Sequence, residues 1–600
     1  MGTVQKEWEL NDLQRDIWKK KYAYNGESFD QWIDRVSGGD NEMANMIRSK
    51  KAIFAGRILA HRGLDKYGLK VTLSNCYVMT PPEDNIGHIV DACKELAMTY
   101  AAGGGCGIDI GKLRPKGTPV NNAARASSGA TSFMPLYDMI TGIIGQNGRN
   151  GALMISIPDS HPDIEDFINI KTKDGAIERA NISIRFSDTF MQSVKEDKMW
   201  RLHWEGENGK VVEKYVSAKR LFRLNVQNNW DWAEAGFLFW DRISGYHLMS
   251  TNIYHEFAGV NPCAEEPLMA GGSCLLSSIN LAEFVIYPFT SEAYFDHEHF
   301  FNSMMVMVKN MNVMLDEGMQ LHPLEIQREN ARLWRQIGVG PMGIADMLIK
   351  MGIRYGSYEA IELSKEIGRI MANAALTASA LLAKEDGPFP MYDEETLFKS
   401  DYFNFVASVH TRGLVKKYGL RNSQLLTIAP TGSVSTMLGI SGGIEPIFAL
   451  SYKRKTESMH QQVVYYDVNT PIIEELKQHI GDVELPEYVV TAHTISWLDR
   501  IKMQGVWQKY IDASISSTVN LPVETTIEEC EDLFMSAWEY GLKGITIFRD
   551  GCKRTGILTI DNKPEEKQEY IVCLECGEKI EVMTNGCTIC MNCGHSPCGN

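Results

Sequence analysis

The chain has 600 residues, 60 basic and 76 acidic, and a formal net charge of -16. Hydrophobic residues at 44% and charged residues at 23% exclude a mostly disordered, collagen-like or fibrous protein, and the length calls for a large core with an appended module. The acidic balance excludes a protein held to nucleic acid or an anionic membrane by its overall charge.

The opening stretch, MGTVQKEWELNDLQRDIWKKKY, is charged from Lys6 onward and lacks the apolar core of a signal peptide. No segment approaches the roughly 18 uninterrupted apolar residues of a spanning helix. A cytoplasmic protein with no membrane partner and no direct nucleic-acid contact is therefore expected. Residues 1–70 read as helical: Leu10, Leu13, Ile17 and Trp18 recur at helix-like spacing, and MANMIRSKKAIFAGRILAHRGL gives a second amphipathic run. From 71 to 555, short apolar runs (LSNCYVM, GALMISI, NISIRF, QLLTIAP, GITIF) alternate with helical stretches such as LSKEIGRIMANAALTASALLA. Strands alternating with helices predict an α/β core with a largely parallel sheet or barrel. Residues 556–572 are too polar to pack and read as a tether, leaving a cysteine-rich tail at 573–600.

That tail holds six of the 13 cysteines. Two C-x2-C turns let four thiolates close a tetrahedral zinc site. Cys573, Cys576, Cys587 and Cys590 are the favoured ligands, leaving Cys593 and Cys598 for thiol–disulfide exchange. Cys573, Cys576, Cys590 and Cys593 are the alternative set, and a passive docking ribbon is the plainer reading. GGGCGIDIGKLRPKG looks like a phosphate loop, but Lys112 is followed by Leu113 rather than Ser or Thr, which disfavours a nucleoside triphosphatase. APTGSVSTMLGISGG is a better anion cradle: Thr431, Gly432, Ser433 and Ser435 offer N–H groups and hydroxyls at a helix start, unless this is a plain N-cap turn. In NPCAEEPL, Asn261, Cys263 and Glu265 alternate, so an extended chain would aim all three at one spot. A thiol, a carboxylate and an amide together can abstract, deprotonate and orient.

In this order, these segments resemble the ribonucleotide reductases, specifically the adenosylcobalamin-dependent class II enzymes. The likeness runs from about Leu10 to the tail through AGRILA, SNCYV, GGGCGIDIGKLRPKG, RNGALMISIPDSHPDIEDFI, NPCAEEPL, SCLLSSINLA, APTGSVST, GGIEPIFALSY and GITIFRDG. It implies a ten-stranded α/β barrel of two five-stranded halves, with Cys263 on a central finger loop. Cys263 would be the thiyl radical that takes the ribose 3′-hydrogen, Glu265 the base on the 3′-hydroxyl, and Asn261 the holder of the substrate hydroxyls. Cys76 and Cys274 would supply two electrons and end as a disulfide, re-reduced by the tail and then by thioredoxin or a similar donor. Ser74 and Asn75 would join Thr431, Gly432, Ser433 and Ser435 in holding the ribonucleotide.

The resemblance further implies a homodimer whose interface binds a dNTP effector. Asp84 and Arg114 would lie near that effector, and Gln146 and Arg149 on the loop that links it to substrate. The chain departs from the family phrase at Ala264 and Glu266, where Gly and Gln are commoner, so a second carboxylate stands beside the finger loop. The tyrosine pair of class I enzymes is missing from GLKGITIFRDG; Tyr465 and Tyr466 come too early and read as structural. The alternatives are a class I-type catalytic subunit that needs a metal-bearing partner, and a non-enzymatic zinc-ribbon protein on a decayed barrel. The ATP-binding domain that some relatives carry ahead of the barrel finds no room before residue 71, and control through it is expected to be absent.

Overall fold

The computed structural model describes residues 8, 10–121, 123–144, 151–172, 177–206, 209–456, 464–481, 483–554, 558–559, 570–572 and 579–581. Helix α1 (Asp12–Lys21) opens on a capping box in which Asn11 and Gln14 satisfy each other's backbone N–H groups. Asp12 in its first turn and Lys19, Lys20 and Lys21 in its last complement the helix dipole. Helix α2 (Phe29–Ser37) repeats the box with Ser28 and Gln31 and stops at left-handed Gly38. Helix α3 (Asn41–Arg48) is capped by Asp40.

The helical run expected over residues 43–64 is broken. Lys50 turns left-handed at φ 57, and Ala52–Phe54 forms a fully buried strand, β1, ahead of α4 (Gly56–His61). Ile53 and Phe54 suit a buried strand paired with a neighbour better than a helix surface. Ile17, Trp32, Ile47 and Ile53 then share one apolar core with Met304, Leu348 and Met371, far along the chain.

The first parallel set comprises β2 (Cys76–Val78), α5 (Ile86–Ala101), β3 (Gly105–Asp109), α6 (Met134–Ile143), β4 (Leu153–Pro158), β5 (Ala180–Phe186) and β6 (Gly236–Phe239). Its five strands pair in chain order, all parallel. Covered on both faces, β4 and β6 read as near-continuous apolar runs, interrupted in β4 only by the buried Ser156. A short hairpin follows, β7 (Gly259–Val260) against β8 (Pro267–Leu268).

The second set contains β9 (Ser273–Cys274), β10 (Leu276–Asn280), α7 (His297–Gly318), β11 (Gly338–Met342), the alanine-rich α8 (Tyr358–Asp386), α9 (Gly432–Leu438), β12 (Ser451–Thr456), β13 (Val464–Asn469), β14 (Thr518–Leu521) and β15 (Gly544–Arg549). Strand β10 pairs parallel with β11 and antiparallel with β1, while β14 pairs parallel with β15. The strand expected at QLLTI contributes only single bridges, Leu426 to Val339 and Ile428 to Ile515. Its ladder is partly replaced, because the Asp512 carboxylate takes the N–H groups of Leu425 (2.9 Å) and Leu426 (2.7 Å).

Two antiparallel seams join the sets. Gly544 and Ile545 of β15 face Leu238 and Phe237 of β6, and Ser273 and Cys274 of β9 face Tyr77 and Cys76 of β2. The β7–β8 hairpin sits against β3, where a Cβ on Gly107 would stand 1.8 Å from the Val260 carbonyl oxygen. Only glycine admits the hairpin there. Among the described residues, no helix is long and apolar enough to cross a membrane.

Candidate active site

The hairpin tip, residues 261–266, is a turn rather than the extended chain expected from the alternation of Asn261, Cys263 and Glu265. Ala264 adopts φ 63, and Asn261 closes the turn. Its N–H donates to the Glu266 carbonyl (3.1 Å), its Oδ1 accepts from the Glu266 N–H (3.0 Å), and its carbonyl accepts from the Ala264 N–H (3.0 Å). Short-range hydrogen bonds of this kind hold Asn in tight turns.

Both flanks of the tip are pinned. Asn181, on β5, donates through Nδ2 to the Pro262 carbonyl at 3.1 Å, and Arg554 donates to Asn181 Oδ1 at 3.2 Å. On the other side the Glu265 carbonyl accepts from Ser514 N–H (2.9 Å) and Thr427 Oγ1 (2.8 Å). Cys263 is thereby exposed into a cavity of about 470 Å³, whose wall includes Asn181, Phe448, His493 and Arg554. The cavity is itself partly open, and the Cys263 sulfur sits on its wall.

Cys76 and Cys274 face each other directly across the β2–β9 seam. Opposed residues of antiparallel strands have Cα atoms roughly 4.5–5.5 Å apart, within the span a disulfide needs. Cys274 is buried, Cys76 only half-buried. Burial pushes the Cys263 thiol well up, with Glu265 and Cys76 adding to the effect. Burial also raises Cys274, reinforced by the adjacent Cys76 and by Glu266 and Glu265. Nucleophilic cysteines have the opposite setting, a lowered pKa; these two keep their S–H hydrogens at neutral pH.

Burial likewise pushes Glu265 up to about 7, with the Asn261 amide opposing the shift. Glu266 is raised well above the carboxylate range by burial and by Glu265, and its carboxylate accepts from Gln424 Nε2. Asn261 Nδ2 and Glu265 Oε2 are buried with no hydrogen-bond partner. Buried polar atoms seldom stay unpaired in a complete site.

A second cavity of about 710 Å³ shares Pro430, Phe448, Ser516, Thr518 and Asn520 with the first. Gly432 and Ser435 line it, at the start of α9. Thr431, ahead of the helix, holds φ 53, unusual for a β-branched residue, and its Oγ1 accepts from Gly443 N–H at 3.1 Å. Ser433 Oγ accepts from Lys21 of α1 at 2.8 Å. Ser74 and Asn75 line neither cavity. Ser74 is buried against Ser273 (3.4 Å) beside a water-sized void, and Asn75 Oδ1 accepts from Arg57 N–H at 3.4 Å.

Asp84 and Arg114 are brought together, Nε to Oδ2 at 2.6 Å. Gln146 and Arg149 lie outside the described residues, as do Cys573, Cys576, Cys587, Cys590, Cys593 and Cys598. No group of three or more metal-ligating side chains occurs among the described residues. Tyr466 donates to Asp16 at 3.0 Å, a packing role for that tyrosine. Sequence reasoning missed Asn181, Lys21 and Arg454: each reaches the site from a distant segment, and no local spacing marks it.

Three neighbouring thiols, a carboxyl raised toward neutrality and two nucleotide-sized cavities thus gather on one α/β fold, the arrangement of an enzyme site. Residues 74–548 match the family model described as ribonucleotide reductase, barrel domain. The vitamin B12-dependent ribonucleoside-diphosphate reductase of Thermoplasma acidophilum is 31% identical over 598 residues, covering 93% of this chain and 74% of that protein. Its namesake from Mycobacterium tuberculosis is 30% identical over 551 residues, covering 88% and 73%. The chain belongs to the ribonucleotide reductase family. The solved class Id ribonucleotide reductase alpha subunit of Actinobacillus ureae has the same fold, with a TM-score of 0.72 at 21% identity over 91% of this chain and 98% of that one.

Proposed function

We propose that this chain reduces ribonucleotides to 2′-deoxyribonucleotides with adenosylcobalamin as the radical source. One observation carries the reading: Cys263, Cys76 and Cys274 converge, and both Cys263 and Cys274 are held as protonated thiols. Transfer of a hydrogen atom through sulfur needs S–H, which the burial preserves. The relatives named for vitamin B12 support the cofactor, and the partly open cavity at Cys263 gives a radical source access to its sulfur. When bound, adenosylcobalamin supplies the radical that removes the Cys263 hydrogen.

Cys263 then takes the ribose 3′-hydrogen, which makes the neighbouring 2′-hydroxyl a better leaving group. Glu265 accepts the 3′-hydroxyl proton, and its value near 7 suits a group that must both take and return a proton near neutral pH. The unpaired Asn261 Nδ2 is free to hold a ribose hydroxyl. The 2′-oxygen leaves as water with a proton from one of the paired thiols. Cys76 and Cys274 are oxidised to a disulfide as the ribose carbon is reduced, and Cys263 recovers its hydrogen at the end of the cycle.

Thr431, Gly432, Ser433 and Ser435 would cradle the substrate phosphates, with Ser74 and Asn75 behind the redox pair. The seams and single bridges support reading the strands as a ten-stranded barrel of two halves, with the hairpin as its finger loop. Ile86, Val90 and Met98 of α5 and Met139 and Ile143 of α6 are exposed, which supports this face as the dimer interface carrying a dNTP site near Asp84 and Arg114, reached by Gln146 and Arg149. The tail would bind zinc and shuttle electrons through Cys593 and Cys598 from thioredoxin or a similar donor.

The test is an anaerobic assay of ribonucleotide, effector dNTP and dithiol, with and without adenosylcobalamin. Deoxyribonucleotide should form only with the cofactor. The Cys263→Ser variant should bind ribonucleotide but form none, and turnover in that variant would refute the assignment.

A further inference from the structure

The hairpin β12–β13 places an arginine over the phosphate cradle. Arg454 Nη1 donates to Thr436 Oγ1 at 2.6 Å, and its Nη2 donates to the Gly432 carbonyl at 3.3 Å. The side chain is half-buried and lines the 710 Å³ cavity. Among the described residues no carboxylate stands within ion-pair distance of it; the titratable groups beside it are the neutral phenols Tyr452 and Tyr22. Asp346 and Glu445 line the same cavity but are engaged elsewhere, Asp346 by Ser441 and Glu445 by Arg500. Asp12 and Asp467 line it too, without reaching the guanidinium.

A half-buried guanidinium with only neutral partners is an unusual arrangement, because desolvated charges are ordinarily matched by an opposite charge. Its planar fork has five N–H donors, and two serve the helix. The remaining donors can reach phosphate oxygens on the cavity side. Lys21 brings a second cation to the same place through Ser433. The hydroxyls of Thr431, Ser433 and Ser435 carry no charge, so Arg454 and Lys21 are the groups at the cradle able to answer a polyphosphate's charge.

Resting on the ribonucleotide reading above, we propose that Arg454, assisted by Lys21, grips the phosphate chain of the ribonucleotide and so acts as a binding determinant for the charged end of the substrate. Substrate recognition then spans two distant segments, the last turn of α1 and the β12–β13 hairpin.

Steady-state reduction is to be measured for the full-length protein, Arg454→Met and Arg454→Lys, with effector saturating. In Arg454→Met, KM should rise on the order of tenfold to a hundredfold, the loss expected for a charge-assisted hydrogen bond, with kcat within about threefold. Arg454→Lys should regain part of the affinity, because it keeps the charge but not the fork. An unchanged KM overturns the proposal. So does a fall in kcat that matches the rise in KM with Lys no better than Met, since Arg454 would then merely prop α9. Should the wild-type protein reduce no ribonucleotide, the functional reading fails by itself. Calorimetric binding of ribonucleoside diphosphate and triphosphate then decides Arg454 separately, with weaker binding by Arg454→Met supporting it and equal binding overturning it.

Discussion

Glu265 owes its proton affinity to the loss of water around it, and that makes the pH dependence of turnover readable. Its acid form is favoured in the folded chain up to about 7. As the pH falls through that value the base is lost, so kcat/KM should drop with an acid limb centred near 7. A limb near the ordinary glutamate value would show that burial does not set this group. The sign for stability is opposite to that of a salt-bridged carboxylate. The unfolded chain ionises first, so raising the pH from the ordinary value to about 7 costs folding free energy at this residue. Asn181 acts chiefly at one remove, through the carbonyl before Cys263, although its side chain also lines the Cys263 cavity. Asn181→Ala should lower kcat by about tenfold or more, because small misplacements of a reacting atom are costly, while leaving KM and the melting temperature nearly unchanged. Equal effects on kcat and KM would argue against positioning.

At the scale of elements, the finger hairpin has a two-residue ladder and depends on what it leans against. Gly107→Ala would drive a methyl into the Val260 carbonyl. The backbone cannot step aside as a side chain can, so the loss should exceed the ~3 kcal/mol typical of overpacking, read as a lowered melting temperature with loss of activity. An unperturbed melting temperature would mean that the hairpin is not seated on β3. The sequence announces the strands it buries on both faces, such as GALMISI and GITIF, because they have no polar side to confuse the pattern. Residues 43–64 mislead because their apolar positions satisfy a helical period, while the demand for β1 comes from β10, more than two hundred residues later. The grouping of Asn261, Cys263 and Glu265 is legible, but its cause is not. A turn closed by Asn261, not the two-residue period of a strand, gathers them. Asn181 and Arg454 are silent in the sequence because their partners come only with the tertiary fold.

For the whole molecule, α5 and α6 of the first parallel set leave large apolar side chains exposed. Ile86 is 60% and Ile143 68% exposed, and contiguous patches of this kind mark association sites. Val90→Glu combined with Ile143→Glu should yield monomers by sedimentation, with normal folding and no response to effector dNTP. Dimers that persist would place the interface elsewhere. The β2–β9 seam has a consequence of its own. Cys76 and Cys274 stand on opposite sides of the line where the two parallel sets meet, in a seam whose one other opposed pair is Tyr77 and Ser273. On the proposed cycle, closing them would rivet one half of the molecule to the other, and each visit by a reductant would draw the rivet. The spent enzyme would then be the stiffer one, and regeneration would restore looseness at the junction as well as electrons.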